Sequence, residues 1–142
     1  MNVIFQLVYI SRETQRFDKE SLGSLLTKAK QNNADLNVTG ALIYNGGRFL
    51  QVLEGQQQQV EALYHSIKQD NRHADVRLLY TGESKVRYFG NWSMNMFNLE
   101  CDKPKNLSSL KDIVSAAANG EKFAGLSAPL ALLREFKSAS AA

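Results

Sequence analysis

Residues 38–54 read VTGALIYNGGRFLQVLE, and this stretch decides the fold. Val38 to Tyr44 is an apolar run, Arg48 to Glu54 is another, and Asn45-Gly46-Gly47 lies between them. Asn-Gly flanked by two such runs is the strongest short-range signal of a β-hairpin, because the favoured tight turn needs residues that tolerate positive φ. On the second arm Phe49, Gln51 and Leu53 share one face, and Leu50 and Val52 share the other.

Upstream, Val3, Phe5, Leu7 and Tyr9 alternate with Ile4, Gln6, Val8 and Ile10. Both sets are mostly apolar, which predicts a central strand covered on both faces. Leu22, Leu25, Leu26 and Ala29 then recur at helical spacing. Asp18 suits the N-cap, and the helix is expected to run to about Gln31 and stop near Asn32, Asn33 and Asp35. Downstream, Val60, Leu63, Tyr64 and Ile67 predict a second amphipathic helix starting near Gly55. Val76 to Gly82 reads as a fourth strand and Trp92 to Leu99 as a fifth, with Trp92, Met94 and Met96 on one face.

The order is βαββαββ, an α+β, ferredoxin-like sandwich with a five-stranded mixed sheet and two helices on one face. That arrangement leaves the other face bare. In the tail, Pro104 suits a helix start, and Leu107, Leu110, Ile113, Val114 and Ala117 form an apolar stripe before Gly120. A short helix carrying Leu130, Leu133 and Phe136 is expected after Pro129. The pair would cover the open face, and Ser138 to Ala142 is expected to fray.

Composition narrows the function classes. With 142 residues, 44% hydrophobic and 22% charged, the chain suits one soluble domain with its own core. Its 17 basic and 14 acidic residues give a net charge of +3, too small to argue for nucleic acid. The single cysteine, Cys101, permits neither an internal disulfide nor a cysteine-built zinc site. His65 and His73 are too few to hold a metal without carboxylates. The N-terminus lacks a secretory pattern and no run is long enough to cross a bilayer, so the expected location is cytoplasmic.

The informative positions are polar residues where packing predicts apolar ones. Gln51 sits between Phe49 and Leu53 on an inward face, where an unpartnered carboxamide costs about 1–3 kcal/mol. Tyr9 brings a hydroxyl to the end of the first strand. Asn32 and Asn33 end the first helix, where asparagine often serves only as a cap. A parallel pairing of strands one and three would set Tyr9 beside Gln51, with the end of the first helix above them. The result is a slot between the helices, apolar-walled with carboxamides at its rim, suited to a flat heteroaromatic ring with an amide-like edge.

Over residues 3–99 the sequence resembles the BLUF family of blue-light sensors, in its short single-domain form. The resemblance rests on LVYIS in the first strand, the Asn-Asn pair, the V-T-G-x-L-x-Y run, F-L-Q-V-L-E-G, the DNRH segment and NWSM, in that order. It implies a flavin-binding domain over residues 1–100, with residues 101–142 as a helical cap of the same domain. The implied cofactor is FAD, with FMN or riboflavin possible because the slot holds the ring.

By the same resemblance, Tyr9 donates an electron and a proton to the photoexcited flavin, and Gln51 lies between that tyrosine and the ring. Asn33 and Asn32 bind near the pyrimidine edge. Trp92 and Met94 shift near the glutamine, and Asp70 and Arg72 lie near the ribityl and phosphate part. Ala29 stands where several members carry serine. Lys30 is a further candidate for a cofactor phosphate. Rearrangement of Gln51 would change the flavin's hydrogen bonds and shift its absorption to the red without net chemistry, so the chain is expected not to be an enzyme. The expected output is a downstream protein effector, the expected assembly a homo-oligomer, and neither nucleic acid nor membrane is expected as a partner.

Two other readings fit less well. An RNA-recognition module shares the βαββαβ order but needs basic and aromatic residues on its third strand, where this chain has FLQVLEG. A small enzyme on this scaffold needs a catalytic residue in a cleft. His65 falls on the polar side of its helix and His73 in a predicted turn.

Overall fold

The hairpin forms as its sequence dictates. Asn45 pairs with Arg48, and the two residues between them, Gly46 and Gly47, have φ of 57° and 78°. Positive φ at both central positions is the tight turn whose twist matches the flanking strands. Gly40 is required for a different reason: a Cβ there would lie 2.1 Å from the Val52 carbonyl oxygen.

The structure, a computed structural model, describes residues 3–90, 94–100, 102, 104–119, 129 and 131–135. The elements are β1 (Ile4–Glu13), α1 (Lys19–Asp35), β2 (Thr39–Asn45), β3 (Arg48–Gly55), α2 (Gln57–Gln69), β4 (His73–Ser84), β5 (Asn95–Asn98) and α3 (Leu107–Ala118). The sheet order is β4-β1-β3-β2-β5. The β2–β5 pair is parallel and the other neighbours are antiparallel, giving the mixed sheet of an α+β, ferredoxin-like fold.

The parallel pairing of strands one and three is corrected: β1 and β3 run antiparallel. The α1 crossover makes β1 and β2 run the same way, and the hairpin reverses β3, so a β3 lying between them opposes both. Tyr9 nonetheless falls directly opposite Gln51.

Alternation along the strands sorts the core into two layers. Leu7, Tyr9, Phe49 and Leu53 pack with Leu22 of α1 and Val60 of α2. Val8, Ile10, Leu50 and Val52 pack with Leu110, Val114 and Ala117 of α3 and with Leu132. Burying each Val, Leu, Ile or Phe of these layers contributes roughly 1.5–3 kcal/mol, which is how the C-terminal helix holds the face that α1 and α2 leave bare.

Element ends differ from the pattern-based reading. Asp18 does cap α1: it accepts from Ser21 N at 2.8 Å while Ser21 Oγ accepts from Asp18 N at 2.9 Å. The helix then runs past Gln31 to Asp35. It stops because Asn37 adopts φ of 55°, Asn37 N donates to Ala34 O, and Val38 N donates to Asn33 O. This is the paired closure of a left-handed helix terminus, so Asn37, rather than Asn32 or Asn33, provides the stop. β4 is longer than Val76–Gly82 because it is an edge strand whose added end residues, 73–75 and 83–84, are polar or small and carry no apolar signal. α2 begins at Gln57. Residues 129 and 131–135 are helical, with Leu132 buried. Trp92, Cys101, Gly120, Leu130, Phe136 and residues 138–142 lie outside the described residues. No helix among the described residues is long and apolar enough to cross a membrane.

Candidate functional site

The apolar stripe of α1 is only half-buried at Leu25, Leu26 and Ala29. The reason is a cavity of about 210 Å³ between α1, α2 and the sheet. Leu25, Leu26 and Ala29 form one wall, Leu63 and Ile67 of α2 the other, and Tyr9, Leu42, Phe49 and Gln51 the floor. Asn32 and Asn33 line it from the last turn of α1, and Lys28, Ser66, Asp70, Arg72 and His73 complete the lining.

Antiparallel pairing fixes the floor. Tyr9 and Gln51 are cross-strand neighbours, and Tyr9 Oη donates to Gln51 Oε1. Gln51 Nε2 donates to Met94 Sδ at 3.6 Å. The carboxamide is thus asymmetrically held. Its oxygen accepts a strong hydroxyl bond and its N–H meets a thioether, a weak acceptor. Tyr9 is 1% exposed, and burial, with Tyr64 and Asp70 adding repulsion, pushes its phenol pKa well above the ordinary value. The Tyr64 ring lies 5.4 Å from that of Tyr9.

At the β3–α2–β4 end, Arg72 Nη2 donates to Asp70 Oδ2 at 2.6 Å and Arg72 Nε to Asp70 Oδ1 at 3.0 Å. These bonds hold the Asp70 carboxyl down at about 2. His73 is the first residue of β4 rather than part of a turn. Its Nδ1 lies 3.0 Å from Ser11 Oγ, and its ring meets the edge of Phe49 at 5.0 Å. Burial lowers its pKa, Asp70 opposes that and Arg72 reinforces it.

The structure therefore gathers Tyr9, Gln51, Asn32, Asn33, Asp70 and Arg72 around one cavity, with Met94 beneath Gln51. Lys30 is exposed and is not among the lining residues, whereas Lys28 is. Nothing in sequence marked Ser66 or Tyr64, which reach the site only through the packing of α2.

The apolar walls and convergent carboxamides fit a flat ring with hydrogen-bonding edges, such as a flavin. Among the described residues no group of His, Cys, Asp or Glu could hold a metal ion.

Residues 4–95 match the family described as BLUF, "Sensors of blue-light using FAD". The chain is 36% identical over 89 residues to the photoactivated adenylate cyclase subunit beta of Euglena longa, covering 62% of this chain and 10% of that protein. It is 33% identical over 93 residues to the blue light- and temperature-regulated antirepressor BluF of Escherichia coli (strain K12), covering 66% and 23%. The chain thus spans between a tenth and a quarter of the length of these two relatives. Among solved structures, the dark-state structure of BlrB, a BLUF protein, superposes with a TM-score of 0.73 at 26% identity, covering 99% of each chain. On the strength of a family match across most of its sheet and both cavity helices, the chain belongs to the BLUF family of flavin-binding blue-light sensors.

Proposed function

We propose that this chain is a blue-light photoreceptor in which the slot between α1 and α2 holds a flavin non-covalently, Tyr9 and Gln51 form the photoactive pair, and the change passes to a protein effector. The observation that carries this reading is the hydrogen bond from Tyr9 to Gln51 on the cavity floor. FAD is the proposed flavin, with FMN or riboflavin as shorter forms sharing the same ring. When bound, the flavin supplies absorption of blue light and an excited state that accepts an electron.

The remaining steps belong to the chain's own residues. Burial keeps the Tyr9 phenol protonated at any physiological pH. A phenol that loses an electron becomes strongly acidic, so its proton leaves with the electron, along the bond to Gln51 Oε1. Gln51 can answer by turning or tautomerising, which exchanges its donor and acceptor ends. Among the described residues its Nε2 meets a weak acceptor, the Met94 thioether, so once the Tyr9 proton has moved the nitrogen end offers little resistance to the turn. When Tyr9 regains its electron and proton, the turned carboxamide offers the cavity a different set of hydrogen bonds, which shifts the flavin absorption to the red. Met94, immediately before β5, senses which end of Gln51 faces it, and this is the local event that a two-state element can amplify. The antirepressor and cyclase among the relatives favour an effector protein or domain as recipient.

Tyr9→Phe tests the reading. It removes the proton and the readily oxidised phenol while keeping the ring's packing. The variant is expected to bind flavin and to lose the light-induced red shift; a shift of undiminished size would remove Tyr9 from the mechanism.

A further inference from the structure

Glu54 lies on the strand that carries Gln51, three residues on and on the opposite face of the sheet. It is 0% exposed. A buried carboxylate is costly unless hydrogen bonds replace its water, and several donors converge on this one. They are the backbone N–H groups of Tyr88 at 2.8 Å and Phe89 at 2.5 Å, Thr39 Oγ1 at 2.9 Å and Gln6 Nε2 at 3.4 Å. Beside them, Arg87 donates to Thr39 Oγ1 at 3.0 Å, to the Glu54 carbonyl at 3.3 Å and to the Asn37 carbonyl at 2.7 Å.

Residues 87–89 are thereby tied to β1, β2 and β3 at one end of the sheet. Phe89 is buried in the core on the α3 side. Five residues later, Met94 is buried in the core on the cavity side, accepting from Gln51 Nε2. With so few residues between them, where Phe89 is held limits where Met94 can sit.

We propose that Glu54 is a positioning residue: its carboxylate pins residues 87–89, after β4, so that the Met94 thioether is presented to Gln51. This rests on the photoactive role of Gln51 and deepens it. Only a carboxylate accepts on every side. Glutamine of the same shape would turn an N–H toward donors that already point inward, displacing residues 88–89 and with them Met94.

The test uses the flavin-loaded protein labelled on its methionine methyls. The sequence has three methionines, Met1, Met94 and Met96, so the signals are separable. In Glu54→Gln the Met94 methyl resonance is expected to move while that of Met1 stays. Dark recovery after illumination is expected to quicken about fivefold, the effect of weakening one buried hydrogen-bond set. An unmoved Met94 signal, or a moved one with wild-type recovery, overturns the proposal, whatever happens to melting temperature. If Glu54→Gln does not fold, Thr39→Val removes a single hydroxyl donor and decides the matter: the same two changes, recovery by about twofold, support the proposal, and their absence overturns it. Should the wild-type protein show no red shift, the photoreceptor reading falls, and the Met94 resonance alone decides whether Glu54 holds residues 87–89.

Discussion

Lys28 and Lys30 are both exposed on α1, and only Lys28 lines the cavity. A partly solvated ammonium facing a phosphate is worth little, about 0.2–1 kcal/mol. Lys28→Gln is therefore expected to weaken FMN and FAD by about 1.4- to fivefold relative to riboflavin, and Lys30→Gln to leave all three unchanged, as read by fluorescence titration. Equal losses in the two variants would contradict the assignment. Single residues were legible from sequence where they broke a pattern: Gln51 interrupts an apolar strand face, and Tyr9 brings a hydroxyl to a buried strand. Lys28, Ser66 and Tyr64 break nothing. A lysine on a polar helix face and a tyrosine in an amphipathic stripe look the same whether or not a cavity lies beneath them.

At the scale of elements, the end of α1 decides how Asn32 and Asn33 meet the cavity. The left-handed conformation of Asn37 lets Val38 N close on the Asn33 carbonyl. Asparagine offsets the Cβ clash of that conformation, about 1–2 kcal/mol, through its short polar side chain and glycine avoids it, whereas alanine has the clash without the compensation. Asn37→Ala is expected to lower the thermal midpoint and to weaken flavin binding, while Asn37→Gly preserves both; two variants that behave alike would show that the backbone conformation is not what matters. The hairpin and the order of elements were readable because turn chemistry and period-2 alternation are local. Strand direction was not: the antiparallel β1–β3 pair follows from the crossover and the hairpin together. The full length of β4 was hidden because its end residues are polar or small. Strand β5 is shorter than the apolar run that predicted it.

Across the whole molecule, the sheet divides the labour. One face and the two helices over it form the cavity, and the other, under α3, forms a continuous core. His73 couples the cavity to overall stability. Burial holds its pKa below the ordinary 6.5, so the unfolded chain takes up the proton more readily. The stabilisation from keeping His73 neutral is complete above about pH 6.5 and is lost as pH falls through the lower folded value. Thermal midpoints measured from pH 7.5 downward are expected to fall in the wild type and to fall less steeply in His73→Gln; parallel slopes would remove His73 as the cause.

The central claim is that Tyr9 and Gln51 rearrange around an intact flavin. The most direct measurement is the absorption spectrum of the purified protein in darkness, then under blue light, then in darkness again. A flavin band that moves slightly to the red without bleaching, and returns in the dark, is the predicted result. A bound flavin whose band stays fixed or bleaches irreversibly, or a protein that refuses added flavin, would contradict the account.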